Sequence, residues 1–442
     1  MILEEKEIRG LLENIISENP GKTMGIGVSS TETGSTRFAN NAITTNGVYN
    51  RLNLYVEVFK GKKRGAVLIN ELNKEKIREA VAKADALADV APENPELMPL
   101  LGSQTYPKVP NMYFKSTAEF SPTQRADSII AAIDMAKKEN LNAAGFFETS
   151  SGFSAFMNSK GLYYSITSSR SYYSNTLRCE GGSGWSSAEE ENVDKLSTGK
   201  LADRALKKAL DSRNPKKLDP GKYPVILEPA AVADLVWLLL YNFTAREADE
   251  GRSFLSRPGE KNRLGEKLLS SKVNIYSDPA FPENPAFPLG EDGLPQKKTV
   301  WIEKGVIKNL IYTRFWAEKK DREPLPFPAN IIMEGGNNSL EDVIRSTKKG
   351  VLVSRFWYIR DLNPMILLLT GLTRDGTFWI ENGKVSHPVN NFRFNESPVN
   401  VLRNVELMSR PMRAVGGEVG QSAFVPALKV KEFNFSSISD AV

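Results

Sequence analysis

Residues 350–398 read G-V-L-V-S-R-F-W-Y-I-R-D-L-N-P-M-I-L-L-L-T-G-L-T-R-D-G-T-F-W-I-E-N-G-K-V-S-H-P-V-N-N-F-R-F-N-E-S-P. Val351, Val353, Phe356, Trp357 and Ile359 suit a pleated, half-buried surface, and Leu367 to Leu369 form a second apolar run. Arg374-Asp375-Gly376 supplies turn chemistry ahead of Phe378, Trp379 and Ile380. In Glu381-Asn382-Gly383-Lys384, Asn-Gly takes the positive φ angles that a tight hairpin needs. The stretch predicts a β-meander rich in aromatic residues and paired charges.

Outward from the meander, the C-terminal third stays mostly β. A strand is predicted from Ala427 to Phe435, another at Leu268 to Tyr276, and a hairpin around Glu303-Lys304-Gly305. Residues 316–330, rich in charge and proline, read as a surface loop. Tyr223 to Leu227 is a strand, and Pro229 starts a helix with Val232, Leu235, Val236, Leu239 and Phe243 on one stripe.

Upstream lie two similar units. The first has a helix carrying Leu3, Ile8, Leu11, Leu12, Ile15 and Ile16, short strands at 24–29 and 37–44, and an alternating hairpin through Leu52, Leu54, Val56 and Val58. It ends in a helix capped by Asn73, with Ile77, Ala80, Val81, Ala84 and Leu87 inward. After a proline-punctuated linker, Ser121-Pro122 and Gln124 form a capping box for a helix with Ala126, Ile129, Ile130, Ile133 and Ala136 inward. Strands at 145–149, 153–158, 162–167 and 172–179 follow, then a loop at 181–187 and a helix near 201–212. Thr31-Glu32-Thr33-Gly34-x-x-x-Phe38-x-Asn40 recurs in register as Thr149-Ser150-Ser151-Gly152-x-x-x-Phe156-x-Asn158. This predicts a duplicated helix–antiparallel sheet–helix unit, the alternative being chance matching of small turn residues. The fold class is α+β. The units are 1–91, a linker 92–116, a central domain 117–220 and a β-rich domain 221–442.

Composition narrows the function. A net charge of +5 over 442 residues, with no long Lys/Arg block, argues against direct nucleic-acid binding. No apolar run approaches the ~20 residues of a membrane span. M-I-L-E-E-K-E-I at the start has acids where a secretory signal is basic, and the single Cys179 fits a reducing compartment, so a cytoplasmic location is expected. His387 is the only histidine, so one chain holds no two-histidine metal motif.

T-G-L-T-R-D-G-T-F-W-I-E-N-G-K followed by F-R-F-N-E-S-P resembles the C-terminal signature of the TldD/PmbA family, described as metallopeptidases and as modulators of DNA gyrase. The resemblance extends over nearly the whole chain. In metal-bearing members it implies an H-E-x-x-x-H helix and a later cysteine, which together hold zinc, the glutamate serving as general base. Counting back from Gly251-Arg252-Ser253-Phe254, the histidine positions fall on Val236 and Tyr241 and the glutamate on Trp237; the cysteine region reads Ala414-Val415-Gly416-Gly417-Glu418. No zinc ligand remains, so neither a metal site nor a catalytic residue is assigned.

The resemblance therefore implies a metal-free, non-catalytic member that handles unfolded peptides, paired with a metal-bearing TldD-type subunit or with itself. A hydrolase rebuilt on Glu247, Asp249, Glu250, Glu260 and Glu266 is one alternative, although such acidic clusters are usually solvated faces. A gyrase-associated regulator is another. Cys179 beside Glu180 is a poor nucleophile, and Gly181-Gly182-Ser183-Gly184-Trp185 lacks the lysine of a phosphate loop. Arg355, Trp357, Arg360, Arg374, Asp375 and Arg393 are the candidate peptide-binding residues, lining a cleft where an extended strand could add. The competing reading is a set of arginine–carboxylate pairs that lock neighbouring strands.

Overall fold

The computed structural model describes residues 5–259 and 261–439; Leu3 of the first helical stripe and Glu260 of the acidic cluster lie outside them. Helix α1 (Glu5–Ser17) leads into strands β1 (Thr23–Ala39), β2 (Ala42–Lys60) and β3 (Lys63–Ile69), closed by α2 (Lys74–Val90). A short α3 (Lys115–Ala118) precedes α4 (Pro122–Lys138), β4 (Asn142–Asn158), β5 (Tyr163–Cys179), β6 (Gly182–Glu190) and α5 (Thr198–Asp211). All six strands form one sheet in the order β3-β2-β1-β4-β5-β6.

That order is a palindrome about the β1–β4 pair. The two repeated motifs pair with each other, Thr31 with Gly152, Glu32 with Ser151, Thr33 with Ser150 and Gly34 with Thr149, and Asn40 and Asn158 both stand where the first strand of a unit turns into the second. A second repeated contact lies at each sheet edge. A Cβ on Gly65 would sit 2.0 Å from the Ala84 carbonyl and 2.4 Å from the Ala88 nitrogen; on Gly184 it would sit 2.1 Å from the Ala205 carbonyl and 2.5 Å from the Ala209 nitrogen. Each unit thus uses one strand glycine and an Ala-x-x-x-Ala helix face to bring backbones together.

Several sequence expectations change. The short strands at 24–29 and 37–44 belong to longer strands, β1 and the start of β2; 145–149 and 153–158 merge into β4, and 162–167 and 172–179 into β5. Polar Ser/Thr/Gly centres look like breaks, but here each finds its hydrogen-bonding partner in another polar centre across the ladder. The 181–187 loop is mostly β6, whose Gly182, Ser183, Gly184, Trp185 and Ser186 are buried. Leu87 is exposed and Ala88 takes its inward place; Ile130 is exposed, while Arg125 is buried on α4.

The third region opens with β7 (Gly221–Leu227) and α6 (Pro229–Tyr241). Five strands close on themselves as a barrel: β7 pairs with Lys349–Asn363 and with Leu428–Ser439, which continues through Asn391–Glu396 and Leu368–Glu381 back to Lys349–Asn363. Phe356, Phe392, Phe394, Phe433 and Phe435 pack together as an aromatic core, with ring centroids 4.6–5.7 Å apart for successive neighbours. Arg374-Asp375-Gly376 is a bulge within a strand rather than a turn, with Asp375 at φ 54° and Gly376 at φ 126°; the chain reverses instead after Asn363. The Asn382-Gly383 hairpin turn has both φ angles positive, as its sequence requires. Of the 268–276 stretch only Ile275 and Tyr276 are strand, within Ile275–Ser277, and the 316–330 segment is entered by helix Arg314–Lys319, which buries Trp316. Among the described residues, no helix is long and apolar enough to cross a membrane.

Candidate functional site

Helix α6 carries Val236, Trp237 and Tyr241, the positions at which the family resemblance implies the ligand motif. Its proline follows Glu228, and its mean character is so apolar that Val232, Val236 and Leu239 are fully buried. Trp237 and Tyr241, one turn apart, stack with Phe327: the Tyr241–Phe327 centroids lie 5.0 Å apart at 13°, and Trp237–Phe327 6.0 Å apart at 18°. The Trp237 Nε1–H donates to the Ser422 carbonyl at 3.1 Å. An aromatic sandwich therefore occupies the face on which ligands would converge.

The other half of that site is filled by Asp234, fully buried one turn before Leu238. Its carboxylate accepts from the Val419 N–H at 2.8 Å and the Glu418 N–H at 3.2 Å, and burial pushes its pKa up to about 7 despite those bonds. A Cβ on Gly416 would fall 2.0 Å from Asp234 Oδ1, so no side chain fits there. Among the described residues no cluster of three or more His, Cys, Asp or Glu could hold a metal ion. These donors do not fit the zinc of the metal-bearing branch.

The acidic alternatives are committed elsewhere. Asp249 accepts from Trp316 Nε1 at 2.9 Å and Asn262 Nδ2 at 2.7 Å. Glu250 pairs with Arg246 and Arg252, Glu266 with Arg257 at 2.6 Å, and Glu247 accepts from the Thr244 hydroxyl at 2.6 Å. His387 lies beside Ser386 with its pKa lowered by burial and by Lys216. Cys179 Sγ faces the Gly182 and Ala209 carbonyls at 3.5 and 3.6 Å.

A cleft of about 450 Å³ opens next to Trp237, between the central sheet and the third domain. Arg413 spans it, with both Nη atoms 2.8 Å from the Glu191 carboxylate and Nη2 3.3 Å from Glu189. Arg170 Nε donates to Glu189 at 2.7 Å. Burial raises the Glu190 pKa against the pull of Arg413. The cleft is thus walled by a network of two arginines and three glutamates, with Trp237 at its floor.

The candidate peptide-binding residues lie around the adjoining 416–419 loop. Arg355 Nε donates to Asp375 Oδ2 at 2.7 Å, and the pair is buried at 7% and 1% exposure. The Arg355 guanidinium lies 4.6 Å over Trp185 of β6 and 5.3 Å over Trp357, which Arg374 covers from 5.5 Å. Arg360 pairs with Glu418 at 2.6 Å, whose other oxygen accepts from the Tyr358 N–H at 2.7 Å. Arg393 is exposed, with Nη1 3.4 Å from the Thr370 hydroxyl, and falls on one cross-strand row with Leu372 and Trp357. Arg355, Trp357, Arg374 and Asp375 therefore meet directly, Arg360 joins through Glu418, and Arg393 stands two strands away from Trp357. Sequence reasoning passed over Trp185, Asp234, Glu418 and Arg413. The acidic run Glu189–Glu191 is the sequence signal that could have pointed to the cation facing it, Arg413.

Comparison with known proteins identifies the class first. Residues 26–88, 117–213 and 220–437 match domain 1, the central domain and the C-terminal domain of the PmbA/TldA metallopeptidases. This is the architecture of a three-domain metallopeptidase-type protein. The chain belongs to the PmbA/TldD family. A metalloprotease of Methanothermobacter thermautotrophicus is 25% identical over 301 residues, 61% of this chain and 62% of that protein. A PmbA homologue of Haemophilus influenzae is 22% identical, over 83% of this chain and 81% of that one. The chain spans 62%, 59% and 53% of the first three curated relatives it matches. The crystal structure of TldE from Thermococcus kodakarensis superposes with a TM-score of 0.86 at 19% identity, covering 97% of this chain and 99% of that one. A proposed modulator of a DNA gyrase from Thermotoga maritima gives 0.85 at 19% identity, covering 98% and 100%. At such identities the likeness shows the fold.

Proposed function

We propose that this chain is a metal-free, non-catalytic family member that holds unfolded peptide segments and completes a peptidase with a metal-bearing TldD-type subunit, or with a second copy of itself. The observation that carries the reading is the filled ligand helix beside an intact cleft: Trp237, Tyr241 and Phe327 stack where metal would bind, while the cleft of Arg413 and Trp237 stays open. Exposed Trp357, Arg360 and Arg393 would contact an extended peptide, and buried Arg355 and Asp375 with half-buried Arg374 would hold the surface that presents them. Residues 1–91, 117–220 and 221–442 would act as folding units joined by the 92–116 linker, in the cytoplasm.

The Thermotoga maritima neighbour's description is the support for a gyrase-linked reading, and the small net charge gives that reading no nucleic-acid surface. The test is cleavage of an unstructured peptide by the purified chain alone, by a metal-bearing relative alone, and by the two together. Cleavage that appears or rises only in the mixture supports the reading. Cleavage by this chain alone, lost on Glu247→Gln or Asp249→Asn, overturns it.

A further inference from the structure

We propose that a cavity at the start of α4 binds a small zwitterion of the α-amino acid class, its carboxylate on Arg125 and its ammonium on Glu32. Arg125 is 1% exposed and lines a cavity of about 230 Å³, a volume suited to one small amino acid with a few waters. Its guanidinium meets only neutral acceptors. Nη1 donates to the Phe120 carbonyl at 2.6 Å and to Thr149 Oγ1 at 3.0 Å, Nη2 reaches the Gly47 carbonyl at 3.5 Å, and Nε–H has no partner among the described residues.

A buried cation with no carboxylate in contact is costly: burial lowers the Arg125 pKa, and the charge of Glu32, which makes no ion pair with it, offsets this only in part. The strand opposite is nevertheless shaped to receive it: a Cβ on Gly34 would lie 2.2 Å from Arg125 Cζ. Thr149, whose oxygen accepts from Arg125, keeps its own hydrogen to donate to a carboxylate, and Ser151 lines the same wall. The Ser121–Gln124 capping box already occupies the helix end, so the arginine rather than the α4 terminus supplies the anion contact.

The same sheet face sets the ligand class, for Glu32 is the cross-strand neighbour of Ser151. Glu32 and Glu119 also line the cavity; Glu119 pairs with Lys115 at 3.4 Å, whereas Glu32 has no ion-pair partner among the described residues. A carboxylate there repels a dianion such as phosphate and attracts an ammonium. A buried cation and a carboxylate free of ion pairs, both lining one cavity of this size, match the two charges of a free amino acid.

Calorimetric titration of the full chain tests this with glycine, L-alanine, acetate, methylammonium and inorganic phosphate. The expected result is saturable binding of the amino acids at least about tenfold tighter than acetate or methylammonium, and no phosphate binding. Glu32→Gln, at a half-exposed position, should weaken glycine by about tenfold while leaving acetate unchanged. Arg125→Gln should abolish both, and because Glu32→Gln gives its own reading, a failure of Arg125→Gln to fold leaves the test intact. No glycine binding at millimolar concentration, or acetate and phosphate binding as tightly as glycine with no effect of Glu32→Gln, overturns the proposal.

Discussion

At the scale of single residues, two buried carboxylates set the chemistry around the 416–419 loop, and they do so in opposite ways. Asp375 neutralises Arg355 in a site closed to water, so removing it leaves an uncompensated guanidinium. Asp375→Ala should cost about 3–5 kcal/mol, while adding Arg355→Met to it should recover part of that loss, because the second change removes the stranded charge and leaves residue 375 as it is in the single variant. Urea unfolding of the two variants, compared by midpoint, decides this. Asp234 carries no cation of its own. Its folded pKa of about 7 exceeds the unfolded value of about 3.9, so between these values the folded state binds the extra proton. Stability is then greatest below about pH 4 as far as this group is concerned, and falls as pH rises to about 7, by at most about 4 kcal/mol. Asp234→Asn keeps an acceptor for Val419 N–H and should flatten that slope; an unchanged pH profile of the melting temperature would count against it.

At the scale of elements, α6 explains why the ligand helix is legible in the sequence and its consequence is not. The absence of histidine at 236 and 241 can be read directly, but that Phe327 would slide between the ligand face and solvent depends on a loop 86 residues away, which no local pattern announces. The same holds for Asp234, an acid in an apolar stripe whose partners are backbone N–H groups of a distant glycine loop. Purified protein should contain far less than one zinc per chain, and Val236→His with Tyr241→His should not change that, since the Gly416 region has no room for a third donor beside Asp234. About one tightly held zinc per chain in elemental analysis would contradict this. Helix caps, by contrast, were readable, because Asn73 and the Ser121–Gln124 box act within four residues. The long strands are hidden where serine, threonine and glycine gather, since the ladder partners of those polar centres are distant in sequence, for β1 and β4 in the other repeat and for β5 in the neighbouring strand of its own unit. The repeat itself was visible as matching Thr-x-x-Gly motifs; the Gly65 and Gly184 contacts with Ala-x-x-x-Ala faces were equally present in the sequence, but become a signal only once strand and helix are known to touch.

At the scale of the whole molecule, the question is what covers the barrel hairpin that runs out from the candidate site. Trp357, Tyr358, Leu362, Met365 and Ile366 are 37%, 52%, 50%, 48% and 55% exposed within ten residues. Tyr358 is also held at φ 54°, unusual for an aromatic residue, with its N–H fixed by Glu418 and its ring covered by Arg360 at 4.2 Å. Strain and apolar exposure at one place favour a surface used in binding over one left to solvent. If the chain works with a metal-bearing subunit, this hairpin is where an interface would begin, and it should extend over at least ~1,000 Å². Ile366→Asp with Met365→Lys should leave the isolated chain's stability within about 0.5 kcal/mol, because both side chains already meet water. The same pair should abolish co-purification with a metal-bearing relative from the same genome, and with it any gain in peptide cleavage. Retained complex formation would move the interface elsewhere. A chain that remains monomeric and leaves the relative's cleavage unchanged even before mutation would remove the partner-subunit reading altogether, and the exposed hairpin would then be left as a peptide-holding surface of a protein that acts alone.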